Sequence, residues 1–110
     1  MTTIYDVVII SNMQAVERIR RRLPLATDAF ADIVIWQVPQ PLPGSAHGYK
    51  YRLAYVVGNA CVLRYDNEAG KGDHRHIGAA ELPYVFAGIP TLLADFHADI
   101  ARWNHENGRA

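Results

Sequence analysis

Cysteine is almost missing from this sequence. The 110 residues contain one, Cys61, which excludes an internal disulfide and suits a reducing compartment. Net charge is missing too, since 11 lysines and arginines balance 11 aspartates and glutamates. The totals give no sign of nucleic-acid binding, so any electropositive site must come from local clustering. No apolar run approaches a membrane span, and the first residues lack the basic, apolar and small-residue succession of a signal peptide. A soluble, cytoplasmic protein with no membrane contact is expected. Repeats and low-complexity segments are absent. So are Gly-x-Ser-x-Gly, Cys-x-x-Cys and His-Glu-x-x-His, which removes the commonest signatures of nucleophilic and zinc chemistry.

What is present is a chain half apolar in composition, enough for one modest core and one domain over residues 1–110. Residues 4–10 (IYDVVII) are rich in β-branched side chains and read as a strand. Over residues 15–25 (AVERIRRRLPL) propensity favours a helix ended by Pro24, while the alternation leaves a strand open. Its arginines at 18, 20, 21 and 22 form either a solvated basic face or a phosphate-contacting patch. Residues 30–38 (FADIVIWQV) read as a strand apolar on both faces, stopped by Pro39. The PQPLPGS segment that follows is a stiff extended loop.

Residues 49–57 and 60–66 form a hairpin, and its loop length decides which side chains share a face. A two-residue Gly58-Asn59 turn would place Leu53 beside Arg64 and Tyr51 beside Asp66. A three-residue Val57-Gly58-Asn59 loop separates polarity instead, and is the expected register. It puts Tyr51, Leu53, Tyr55, Cys61, Leu63 and Tyr65 on one face. Lys50, Arg52, Ala54, Val62, Arg64 and Asp66 take the other. Asn59 then occupies the left-handed position, and Cys61 is an inert core thiol. In the C-terminal segment Ile89, Leu92, Leu93, Phe96, Ile100 and Trp103 recur at helical spacing, with Pro90 in the first turn and Asn107-Gly108 at the end. Asp99 and Arg102 are an i, i+3 pair.

Chemistry concentrates in YDNEAGKGDHRHIG, residues 65–78. As a phosphate loop it is weak, because its glycines match neither the P-loop nor GxGxxG. His74 and His76 are two apart, so a strand from 74 to 78 projects both rings on one face. Such a pair can serve as general base and general acid, ligate a metal, or simply bond to neighbours. A metal would need a third ligand, for which Asp66, Asp73 and His47 are candidates that no spacing selects. Asp66 can orient a histidine or pair with Lys50 across the hairpin. Lys50, Arg52, Arg64 and Lys71 can gather round the histidines to neutralise phosphate, or form a solvated basic face. The combination permits a ribonuclease that needs neither metal nor cofactor: a base takes the ribose 2′-hydroxyl proton, cations hold the phosphorane charge, and an acid protonates the leaving oxygen. Its catalytic residues would be His74, His76, Asp66 and Lys71. Its substrate contacts would be Lys50, Arg52, Arg64, Asn67, His47 and Arg75, with Asn67 after Asp66 otherwise reading as turn chemistry.

Three motifs carry a family resemblance: Pro-x-Pro-x-Pro-Gly-Ser-x-His at 39–47, Lys-Tyr-Arg-Leu at 50–53, and Tyr-Asp-Asn-(x)3-Lys-Gly-Asp-His-Arg-His at 65–76. With ELPYVF and LLADFHADI downstream, residues 28–103 resemble the TumE-like toxins of bacterial and archaeal toxin–antitoxin modules. The resemblance implies a toxin restrained by a helix-turn-helix antitoxin, and growth inhibition through RNA cleavage or another RNA-dependent activity. Its motif positions fall on His47, Lys50, Arg52, Asp66, Asn67, Lys71, Asp73, His74 and His76. It also implies that residues 15–23 are a strand paired with residues 30–38. Two departures stand out: Asp28-Ala29 replaces the family's Asp-Gly, and residues 1–14 read as an atypical extension.

The expected fold is α+β: a mostly antiparallel sheet of four to six strands, with the C-terminal helix on its apolar face. The opposite face is the working surface. A ribonuclease toxin is the leading function. The alternatives are a non-catalytic module docking antitoxin, ribosome or nucleic acid, and a metal-dependent nuclease built on His74, His76 and a carboxylate. A homo-oligomer is compatible with all three.

Overall fold

A computed structural model describes residues 15–109; the strand expected at 4–10 lies outside the described residues. Among the described residues six strands form one antiparallel sheet in sequence order: β1 (Val16–Ala26), β2 (Ala29–Gln37), β3 (Tyr49–Val57), β4 (Ala60–Glu68), β5 (Gly72–Ile77) and β6 (Ala80–Pro83). One helix, α1 (Ile89–Glu106), follows. The expected α+β architecture is present. The core lies between one sheet face and α1. Ile35, Leu53, Tyr55, Leu63 and Tyr65 come from the sheet, and Leu92, Phe96 and Ile100 from the helix, all buried. Pro90 stands in the first turn of α1 and Asn107 caps its end, as the sequence pattern requires.

The segment at 15–25 is a strand rather than the helix that propensity favours. Val16 to Ala26 pair along β2, and Ile19 and Leu23 pack on the core. Tertiary pairing overrides intrinsic preference here. Pro24 does not end the element. It pairs with Phe30, and the ladder is irregular just after it, the tolerance proline finds at a sheet edge.

The β3–β4 hairpin corrects a second expectation. Its turn has two residues, Gly58 (φ 55°) and Asn59 (φ 70°), with Val57 opposite Ala60. A bulge then shifts the register, so that Val56 faces Cys61 but Tyr55 faces Leu63. Beyond the bulge Leu53 opposes Tyr65 and Arg52 opposes Asp66, which is the segregated pattern the three-residue loop was meant to supply. Cys61 precedes the shift and is therefore exposed, not in the core.

Candidate active site

Period-two geometry builds the site. Asp66 pairs with His74 and Arg64 with His76 across β4 and β5, so these four side chains share the sheet face opposite α1. The imidazoles lie edge to face, 5.0 Å between centroids. His74 is buried; its Nδ1–H donates to the Gly72 carbonyl at 3.1 Å. Its Nε2 lies 2.9 Å from Asp66 Oδ1, at ion-pair distance without hydrogen-bond alignment.

Arg64 joins the other half. Its Nε is 3.1 Å from Asp66 Oδ2, and its Nη2–H donates to His76 Nε2 at 3.0 Å. A guanidinium only donates, so His76 Nε2 presents a lone pair. Burial, then the Arg64 charge, hold the His76 pKa below its ordinary value. His76 is thus a neutral imidazole near pH 7, beside a second imidazole that faces a carboxylate.

The rim of the cluster comes from Lys71 and Glu81. They pair at 2.8 Å, and the Glu81 carboxylate is also 3.7 Å from His74 Nε2. Lys71 hydrogen-bonds Glu81, which raises the lysine pKa and lowers that of the glutamate. Arg52 lies on the same face, opposite Asp66. Lys50 is two residues away on β3. Among the described residues neither Lys50 nor Arg52 forms an ion pair, and Asp66 engages Arg64 and His74 rather than Lys50. A shallow groove lined by Lys71, Asp73, His74, Glu81, Leu82 and Pro83 opens onto His74. Glu81 escaped the sequence reading because β6 has only four residues; the Gly78-Ala79 turn ahead of it was the available signal.

Asn67, His47 and Arg75 sit on the core face, away from the histidines. Asn67 lies within β4 rather than in a turn and is fully buried. Its Oδ1 accepts the Tyr51 N–H at 2.9 Å and its Nδ2 donates to the Tyr49 carbonyl at 2.8 Å, so the amide continues the β3–β4 pairing. His47 Nδ1 accepts the Tyr49 N–H, which leaves its Nε2–H to donate to Asp73 Oδ2 at 2.7 Å. Its ring stacks on Phe86, 3.8 Å between centroids. Arg75 donates to the buried Asp99 of α1 at 2.9 Å, where Tyr65 also donates its hydroxyl. Burial and then Asp99 push the Tyr65 pKa up to about 12. Arg75 therefore fastens the helix to the sheet.

Asp73 is the hub of the core-face network. It accepts from Ser45 at 2.6 Å, from His47, and from Tyr51 at 2.7 Å. Burial disfavours its charge, but the hydrogen bonds from Ser45, Tyr51 and His47 prevail and hold its pKa below the ordinary value. The proline loop is drawn onto the β4–β5 turn by the same contacts. The Gly70 N–H reaches the Pro43 carbonyl at 2.6 Å, and a Cβ at Gly72 would come within 2.7 Å of the Gly44 carbonyl oxygen.

Fold and site together define a one-domain α+β protein with one helix-covered face and one face bearing a histidine–carboxylate–arginine cluster. Its family follows from sequence comparison. The family described as Toxin TumE matches residues 3–104, and the chain belongs to that toxin family. The matched span reaches N-terminally beyond the motif-bearing residues 28–103 into the stretch read as an extension. A toxin role implies an antitoxin partner. Comparison with curated proteins and with solved structures returns no match. Among the described residues no helix is long and apolar enough to cross a membrane.

Proposed function

We propose that this toxin is a ribonuclease acting in the cytoplasm, restrained by a helix-turn-helix antitoxin, and that it cleaves RNA at the His74–His76 face. The observation that carries the reading is the pairing of His76, whose pKa is held down by burial and Arg64, with a His74 whose Nε2 lies 2.9 Å from Asp66 Oδ1. The ribose 2′-hydroxyl displaces Arg64 from His76 Nε2 and gives up its proton there. The 2′-oxygen attacks phosphorus, and the bond to the 5′ oxygen breaks. His74 supplies the proton to that leaving oxygen. The products are a 2′,3′-cyclic phosphate and a 5′-hydroxyl. Arg64, released from His76, donates to the non-bridging oxygens as the phosphorane charge grows, with Lys71 and Arg52 at the rim.

A metal-dependent nuclease is the second reading, because ligand atoms of Asp66, His74 and His76 lie within 4.8 Å of one another. Arg64 weighs against it. A divalent cation there would face a guanidinium already bonded to His76 and paired with Asp66, and like charges at such distances repel strongly.

The test is cleavage of a labelled single-stranded RNA by purified protein in chelator, with end-group analysis of the products. Cyclic phosphate ends, lost in His74→Ala and His76→Ala proteins that still bind antitoxin, support the reading. Activity abolished by chelator and restored by one ion transfers the chemistry to a metal. A protein that arrests growth but cleaves nothing acts by binding.

A further inference from the structure

The face that carries the histidines continues across the sheet. His74, Asp66, Arg52, Val34 and Arg20 succeed one another from β5 to β1 as direct cross-strand partners. Trp36 stands beside this row on β2, with Lys50 opposite it on β3. Helix α1 packs on the other face, and Trp36 is part-exposed.

Two aromatic rings on this face differ in what covers them. The Arg22 guanidinium lies 4.0 Å from the Phe30 centroid and is held there by a forked pair with Asp32, at 2.7 and 2.8 Å. That ring face is occupied. The Arg20 guanidinium lies 6.0 Å from the Trp36 centroid, the outer limit of a cation–π contact. Among the described residues the Trp36 ring is therefore held more loosely than that of Phe30, and it is part-exposed. Lys50 and Arg52, unpaired among the described residues, lie between Trp36 and the histidines.

We infer that this surface is a subsite for single-stranded RNA: a base stacks on Trp36 while Lys50 and Arg52 hold the phosphates leading to the cleavage site. The inference rests on the ribonuclease reading for its choice of RNA. β2 and β5 are three strand spacings apart, about 14 Å, so the stacked base belongs to a nucleotide other than those flanking the scissile bond. Duplex bases are already stacked and cannot offer a free face, which selects single strands. An acidic protein segment would use the two cations but has no use for a part-exposed indole.

The probe is a fluorescein-labelled 2′-O-methyl oligonucleotide of about a dozen nucleotides, which has no 2′-hydroxyl and cannot be cleaved. Trp36→Ala is expected to weaken binding about tenfold or more, the usual loss of one base–aromatic stack. Lys50→Ala with Arg52→Ala is expected to lower the salt dependence by about one to two ions. Of the two tryptophans, the other is Trp103, which packs edge-on against Tyr55. In Trp103→Phe protein the remaining indole fluorescence should be quenched on binding, a readout that needs no change at Trp36. Unaltered affinity in a folded Trp36→Ala protein, absence of quenching, equal affinity for a duplex or for polyglutamate, or no binding each overturns the subsite. Binding with quenching but no cleavage of unmodified RNA keeps the subsite and sinks the ribonuclease reading. Cleavage with no quenching does the reverse.

Discussion

Replacing Asp73 by Asn removes one charge and almost nothing else, so it measures what the carboxylate hub contributes. His47 and Tyr51 both donate to Oδ2, and Ser45 donates to Oδ1. An asparagine can keep its oxygen toward His47 and Tyr51 and turn its NH2 toward Ser45, whose hydroxyl also accepts. Three bonds survive, but they become neutral. A bond to a charged group contributes about 1.5–3 kcal/mol and a neutral one about 0.5–1.5 kcal/mol. With partial relaxation the expected loss is about 2 kcal/mol. Asp73→Ala leaves three donors stranded in a side-chain environment only 9% exposed at the aspartate, and should cost about 3–5 kcal/mol. Urea unfolding gives both numbers from the shift in midpoint at constant slope. The pH dependence supplies the sign. Because the folded-state pKa of Asp73 is lowered, its stabilisation is present above the ordinary value of 3.8. It is lost as pH falls from there through the folded value. The gap between wild type and Asp73→Asn should therefore narrow in acid. A gap under about 0.5 kcal/mol at pH 7, or one that does not change with pH, would refute the hub. Asp73 adjoins His74 on β5, so loosening it should also lower RNA cleavage without touching the reacting groups.

Three further outcomes follow from the same contacts. Arg75→Leu leaves the buried Asp99 only Tyr65 and the exposed Arg102 and should cost about 2 kcal/mol, read as a lower urea midpoint, while sparing RNA affinity because Arg75 is on the core face. Cys61 should react with a thiol reagent in the native protein as fast as in the unfolded chain, and Cys61→Ser should change stability by less than about 0.5 kcal/mol; slow native reaction would return it to the core. The lowered pKa of His76 predicts that kcat/KM for RNA holds flat down through pH 6.5, its ordinary value, and falls only at lower pH as the base is protonated. Stability moves with it: below pH 6.5 the unfolded chain takes up this proton first, so the folded state is weakened until pH reaches the folded value. An acid limb centred above pH 6.5 would remove His76 as the base.

The two histidines show what a local pattern can deliver. Their spacing needed only strand geometry to share a face, and the Cα pairing of Asp66 with His74 and Arg64 with His76 completed the cluster. His47, Asn67 and Arg75 show the opposite case. Their polarity and their place in the motifs grouped them with substrate contacts, yet each one's partners place it on the core face. Asp73 and His74 are neighbours in sequence and point to opposite sides of one strand, so a single motif serves both a structural hub and the candidate chemistry.

By itself the sequence determined the helix with its apolar stripe and its proline and glycine ends, the central strands, and the common face of His74 and His76. These depend on periods of two and 3.6 residues, which any short window displays. Tertiary structure decided between the helix and the strand that the sequence left open for residues 16–26, and it alone decided that the proline loop folds back onto Asp73 and that Arg75 meets Asp99 of the helix. It also decided that one bulge leaves Cys61 outside while restoring the register of Leu53 and Tyr65. Those outcomes rest on partners up to dozens of residues apart, whose contact becomes favourable only once the rest of the sheet has closed the loops between them.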